Sequence, residues 1–244
     1  MNKPTFPELA SGRLSTSAHP RLRTAALAVG GCIAITIVVF GAVVLLALAI
    51  DAMRDNLVGV LSLTLVVHAI LCLFFLVQLL QRTGVSPAAI GVCRPTWRLA
   101  HLMWQIPSAL IILVAIQATM FAVLGGEDPI PGSSTSEGMA GLSPVFAMAG
   151  FIGIAVLTPL WEELLFRGVL LSSMRQRWGP GIAVVASSVI FAIVHGIPIL
   201  LPYMLGLGLV LGGLRIFHGN LWAPLAMHIT INSIASATIL AALV

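Results

Sequence analysis

The sequence predicts an all-α fold, a polytopic bundle of about seven transmembrane helices with a range of six to eight. Of the 244 residues, 59% are hydrophobic and only 8% are charged, whereas soluble domains carry about 25% charged residues. Apolar runs longer than about 18 residues recur along the chain, and each is a candidate membrane span. This composition excludes a soluble globular domain, and the alternating pattern of a membrane barrel does not occur.

The first half of the chain is predicted to hold a basic tail and three spans. Residues 1–24 are polar, basic and rich in proline, so we expect a disordered cytoplasmic tail. Residues 25–124 hold the three apolar helices, and a cleaved signal peptide is the alternative for the first of them. The first apolar run is about twice the usual length of such a signal, which favours a retained helix. His68 lies inside the second helix, where a lone histidine is typical of a hydrogen bond between helices.

A polar connector over residues 125–143 is the clearest internal boundary. It contains three acids and no basic residue, which predicts a flexible extracytoplasmic loop. Residues 144–244 form the second unit, and Gly208 and Gly212 within it form a GxxxG pattern that predicts close helix packing. The four helices expected in this unit cover residues 144–174, 181–196, 203–217 and 221–244.

Lysine and arginine are distributed unevenly over the predicted loops. The tail and the loops after the second, fourth and sixth helices contain ten of the 12 basic residues. Because basic residues accumulate on the cytoplasmic side, the chain is predicted to be an integral protein of the cell membrane with a cytoplasmic N-terminus. They are scattered rather than gathered on one face, so nucleic acid is not an expected partner. The ten are Lys3, Arg13, Arg21, Arg23, Arg82, Arg94, Arg98, Arg175, Arg177 and Arg215.

Three ionisable residues interrupt the fourth predicted helix. Glu162, Glu163 and Arg167 lie within six residues of an otherwise apolar segment, and each would cost at least a few kcal/mol in hydrocarbon. Glu163 and Arg167 are four residues apart, so their side chains meet on one face of a helix. Glu162 is turned by about 100° from Glu163. We therefore expect Glu163 to pair with Arg167, which leaves Glu162 free for chemistry.

Polar residues on two later helices supply possible partners for Glu162. His195 ends the fifth predicted helix, and His228 and Asn232 lie four residues apart in the seventh. Peptide hydrolysis without a serine or cysteine nucleophile requires an activated water. A buried carboxylate can act as the general base, and an imidazole can orient the water. Glu162 with His195 fits this task, whereas His228 with Asn232 fits the stabilisation of an oxyanion.

These residues form three ordered motifs that resemble a known family. Glu-Glu-x-x-x-Arg at 162–167, Phe-x-x-x-His at 191–195 and His-x-x-x-Asn at 228–232 are similar to the motifs of the CPBP family. This is the CAAX-protease and bacteriocin-processing family of intramembrane glutamic endopeptidases, also called the ABI family. The resemblance covers residues 157–234, roughly a third of the 244-residue chain.

The resemblance implies a protease core in the last four helices that works without a metal or another cofactor. The implied substrate is a membrane-associated protein or peptide, such as the C-terminal tripeptide of a prenylated protein or a peptide leader. Glu162 would be the base, His195 its assistant, and His228 with Asn232 the oxyanion site. The supporting residues would be Glu163, Arg167 and Phe191.

Other classes of function stay open at this stage. Glu and His inside a bundle also form the proton relays of transporters, although no inverted repeat is found. A metallopeptidase could use Glu162, His195 and His228 as ligands, but HExxH and CxxC spacings do not occur. A non-catalytic immunity or scaffold protein could keep the same fold with intact motifs, and a purely structural ion cluster is the simplest alternative.

Overall fold

The computed structural model describes residues 19–124 and 142–237, and both ranges are helical with no strand. This confirms the predicted all-α class. Short 3₁₀ turns lie at Ala88–Ile90, Trp97–His101 and Pro198–Leu200, and two π-helical segments lie at Gly153–Leu157 (π1) and Glu163–Leu170 (π2). The α-helices are α1 (Leu22–Ala49), α2 (Asp51–Asp55), α3 (Leu57–Arg82), α4 (Leu102–Leu124), α5 (Pro144–Ile152), α6 (Thr158–Glu162), α7 (Leu171–Val194), α8 (Leu201–His218) and α9 (Trp222–Ala235).

Five helical stretches in the described ranges are long and apolar enough to cross a membrane: Leu22–Ala49, Leu57–Arg82, Trp97–Val123, Pro144–Val194 and Pro198–His218. The fourth has 51 residues and is bent at Gly179, where φ is 78° and ψ is 173°. Glycine tolerates this left-handed φ, and Pro180 cannot continue the preceding hydrogen bonds. The stretch therefore comprises the fourth and fifth predicted helices.

The predicted boundaries are only partly within the described residues. Residues 1–18 of the tail and residues 125–141 of the connector lie outside them, as do residues 238–244 of the seventh predicted helix. The first helix begins at Leu22, slightly before its predicted start. The helices on either side of the connector share one packed bundle, because α3 packs against α5 and α4 packs against α8. The division into domains stays a prediction.

Glycines bring α8 close to α7. A Cβ atom on Gly208 would lie 2.8 Å from Cβ of Ser188 and 3.0 Å from its Cα atom. A Cβ atom on Gly212 would lie 3.0 Å from a methyl group of Val184. The GxxxG pattern therefore has the packing role that the sequence predicted, and it places the backbone of α8 beside the charged segment of π2.

We predict that Gly208→Ala destabilises the protein and that Gly213→Ala does not. An added methyl group at Gly208 overlaps Ser188, and overpacking of this kind costs about 1–3 kcal/mol. Gly213 lies on the same helix with no atom within 4 Å of an added Cβ, so alanine there improves helix propensity by about 1 kcal/mol. Thermal unfolding in detergent, monitored by size-exclusion chromatography, should give a lower melting temperature for Gly208→Ala and a higher one for Gly213→Ala. Equal changes in the melting temperatures of the two variants would contradict the role of Gly208 in helix packing.

Candidate active site

The three charged residues of the fourth predicted helix are buried in protein. Glu162 is the last residue of α6, and Glu163 and Arg167 belong to π2. Their exposed fractions are 6%, 1% and 2%. The charges therefore contact neighbouring helices instead of lipid, which is how intramembrane ionisable groups are usually accommodated.

Arg167 and Glu163 form a buried ion pair. Nη1 of Arg167 donates to Oε1 of Glu163 at 3.0 Å, so the expected pairing is present even though the segment is π-helical. Nη2 of Arg167 donates to the backbone carbonyl of Gly208 at 3.4 Å. The guanidinium carbon lies 4.4 Å from the centroid of the Phe191 ring, within the range of a cation–π contact. Arg167 thus connects π2 to both α7 and α8.

His228 of α9 lies between the two glutamates. Its Nδ1 atom donates to Oε1 of Glu163 at 2.9 Å, and its Nε2 atom lies 3.7 Å from Oε2 of Glu162. Glu163 therefore has two partners, Arg167 and His228. Glu162 accepts no hydrogen bond within the described part of the chain, which matches the expected separation of the two carboxylates.

His195 approaches Glu162 from the end of α7. Its Nδ1 atom lies 2.6 Å from the carbonyl oxygen of Phe191, and since a carbonyl only accepts, Nδ1 carries the proton. Nε2 then holds the lone pair in the neutral ring, and it lies 3.9 Å from Oε1 of Glu162. The His195 side chain is 24% exposed, so it is more accessible than Glu162, Glu163, Arg167 and His228.

Asn232 and Phe191 complete the predicted set. Nδ2 of Asn232 donates to the carbonyl oxygen of Ile154 in π1 at 2.9 Å, which fixes the orientation of the side-chain amide. The Phe191 ring is fully buried and packs edge-on against Phe166, with centroids 5.0 Å apart. The His195 ring lies 4.6 Å away from the same Phe191 ring. Phe191 therefore supports both Arg167 and His195.

Two cavities meet at Glu162 and His195. The larger cavity has a volume of about 450 Å³ and is lined by Glu162, His195, His228 and Asn232, together with side chains of α4 and α8. The smaller cavity, of about 350 Å³, lies beside α1 and α3 and contains Glu162 and His195 but neither His228 nor Asn232. All four residues predicted to be catalytic therefore line one space.

The sequence motifs predict no part of the site in the first three spans. The structure adds His68 and Thr36 to the wall of the smaller cavity and Gln117 to the wall of the larger one. Nε2 of His68 lies 2.9 Å from Oγ1 of Thr36, so His68 forms the hydrogen bond between helices that its position suggested. Their only signal in the sequence is that each is a polar residue within an apolar helix.

The fold and the site define an integral membrane protein with a buried cluster of carboxylates, imidazoles and an amide. In the described residues, no group of three His, Cys, Asp or Glu side chains is arranged to hold a metal ion.

Comparison with known proteins finds a family model that is similar to the segment after the connector. Residues 144–234 match the model of the Rce1-like family, the type II CAAX prenyl endopeptidases. The match begins at the first residue of α5 and ends within α9. The match confirms the resemblance that the three motifs indicated, since this segment is similar to the CAAX-protease family. No curated protein and no solved structure gives a significant match to the chain.

We predict that Arg167→Met costs about 3–5 kcal/mol of stability, because it leaves the buried Glu163 carboxylate without its cation. The double variant Glu163→Gln/Arg167→Met should be more stable than Arg167→Met alone, since it removes both charges. Denaturant titration in mixed micelles measures the difference.

The matched control is Arg54→Met, which breaks an exposed pair with Asp51. Its cost should stay within about 1 kcal/mol. If Arg167→Met were as mild as Arg54→Met, the buried pair would not organise the site.

Proposed function

We propose that this protein is an intramembrane endopeptidase of the glutamic type that hydrolyses a peptide bond of a membrane-associated substrate. The observation that carries the proposal is the environment of Glu162. This carboxylate is buried, accepts no hydrogen bond from the described residues, and lies 3.7 and 3.9 Å from the Nε2 atoms of two histidines. The family match supports a prenylated CAAX protein as the substrate class, with a peptide leader as the alternative.

Glu162 and His195 are proposed to activate the hydrolytic water. A water with hydrogen bonds of about 2.8 Å to each group fits the 3.9 Å separation between Oε1 of Glu162 and Nε2 of His195. His195 accepts one hydrogen of the water at Nε2, because Nδ1 donates to Phe191. Glu162 takes the other proton as the water oxygen attacks the carbonyl carbon.

His228 and Asn232 are proposed to stabilise the resulting oxyanion. As an imidazolium, His228 donates Nδ1–H to Glu163 and has Nε2–H left for the substrate. Asn232 uses one amide hydrogen for Ile154 and has a second one to donate. The tetrahedral intermediate collapses when protonated Glu162 returns its proton to the leaving nitrogen, which breaks the C–N bond and releases an amine and a carboxylic acid.

Charge balance supports this protonation state. Glu162 and Glu163 contribute two negative charges, whereas Arg167 and an imidazolium at His228 contribute two positive charges. A cluster without net charge is less costly than a charged one in a medium of low dielectric constant, and a proton on His228 instead of Glu162 leaves the carboxylate able to act as a base. His195 then stays neutral, as its role toward the water requires.

The distribution of lysine and arginine supports an orientation with the N-terminus in the cytoplasm. In that orientation Arg175 and Arg177 follow the base-bearing helix on the cytoplasmic side.

We predict that Glu162→Gln lowers the cleavage rate by about 10²–10⁴-fold, because glutamine cannot accept the proton of the water. The assay uses purified protein in liposomes and a farnesylated peptide ending in Cys-Val-Ile-Met, with products identified by mass spectrometry. Asp51→Asn, at an exposed acid in the short helix α2, should cleave like the wild type. A wild-type rate for Glu162→Gln would refute the assignment of the base. Complete inactivity of the wild type on both prenylated and leader peptides would favour the non-catalytic alternative.

We also predict that EDTA and 1,10-phenanthroline leave the cleavage rate unchanged. In the proposed mechanism Glu162 and His195 activate the water directly. If a chelator abolished cleavage and Zn²⁺ restored it, then Glu162, His195 and His228 would instead be metal ligands.

A further inference from the structure

We propose that Gln117 of α4 is a substrate-binding residue, whose side-chain amide hydrogen-bonds to a backbone peptide group of the substrate in the larger cavity. The inference rests on the proposed function and extends it to a helix outside the family-matched residues 144–234. The group proposed to bind at the α4 side of the larger cavity is the backbone of an extended peptide.

The first observation is the missing partner of Gln117. Its side chain is only 3% exposed, yet its carbonyl oxygen Oε1 accepts no hydrogen bond from the described residues. Buried polar groups are nearly always paired. Polar side chains of membrane helices usually bond across to a neighbouring helix, as His68 does with Thr36.

The second observation is the position of Gln117. It lines the same cavity as Glu162, His195, His228 and Asn232, but it is contributed by α4, whereas those four come from the segments after residue 144. The cavity, at about 450 Å³, falls in the range of ligand-binding pockets. Its other α4 residues, Leu110, Leu113 and Val114, are apolar, so Gln117 is the polar group on this wall.

The chemistry of a side-chain amide matches that of a peptide group. Each has a carbonyl that accepts and an N–H that donates, and a half-turn of the glutamine amide exchanges its two ends. A peptide that enters an apolar cavity must find partners for its own N–H and C=O groups. A peptide N–H of the substrate that donates to Oε1 of Gln117 would gain a partner and give one to this oxygen.

Binding through a backbone group predicts a defined kinetic change. The contact forms with the substrate before any bond breaks, so it contributes equally to the ground state and the transition state, and its loss raises KM without lowering kcat. We expect Gln117→Leu to raise KM about tenfold, the factor that corresponds to one net hydrogen bond. Leucine also removes the unpaired amide, so the melting temperature should stay equal or rise.

The test compares wild type, Gln117→Leu and the control Thr119→Val on the farnesylated Cys-Val-Ile-Met peptide. Thr119 is exposed on the same helix, and its hydroxyl donates only to the carbonyl of Ala115 in its own helix, so Thr119→Val should change neither KM nor kcat. Each non-scissile amide of the peptide is then replaced in turn by an ester, which removes the N–H and weakens the carbonyl as an acceptor. One replacement should raise KM for the wild type but not for Gln117→Leu. Equal ester effects in both proteins, or a lower melting temperature of Gln117→Leu, would overturn the proposal.

A binding measurement separates this inference from the proposed function. Binding of a fluorescent form of the peptide to Glu162→Gln is compared with binding to Glu162→Gln/Gln117→Leu. Weaker binding to the double variant supports the role of Gln117 even if the wild type does not cleave the peptide. Equal binding, or no binding to either protein, contradicts it.

Discussion

The buried ion pair between Arg167 and Glu163 is the interaction on which the rest of the site depends. Arg167 alone would be an uncompensated charge at membrane depth, and Glu163 neutralises it at 3.0 Å. The same guanidinium holds the Gly208 carbonyl of α8 and lies over the Phe191 ring of α7. Glu163 in turn holds His228 of α9. One ion pair therefore fixes three helices around Glu162, and charge neutrality and geometry are established together.

The ion pair also explains why two adjacent carboxylates differ. Oε1 of Glu163 accepts two hydrogen bonds, from Arg167 and His228, so this oxygen has a structural role. Glu162 lies at the junction of α6 and π2, where the chain turns it toward the cavities and the two imidazoles. Paired titratable groups in different surroundings are a common basis for dividing acid–base roles. The π-helical segments on either side of α6 are consistent with this, because such local widening often occurs at functional sites.

The motif residues could be predicted because ionisable groups are too costly in a membrane helix to be accidental. Helical spacing alone paired Glu163 with Arg167, and the apolar runs predicted the helices, including the break that Gly179 and Pro180 produce. The π-helical segments could not be predicted, since no sequence pattern distinguishes them from α-helix here. The positions of Gln117 and His68 in the cavity walls could not be predicted either. An isolated polar residue in an apolar helix does not show which cavity it lines until the packing of the helices is known.

The packing of α1 to α4 against the family-matched segment divides the site into two contributions. Residues 144–234 supply Glu162, His195, His228 and Asn232, which are the groups proposed to act on the peptide bond. The first spans supply walls, with α4 beside the larger cavity and α1 and α3 beside the smaller one. A peptide bond is the same in every substrate, whereas the flanking side chains differ, so selectivity has to arise from the walls. We infer that, under the proposed function, the groups that act on the peptide bond lie after residue 144, whereas α1, α3 and α4 contribute to the choice of substrate together with α8.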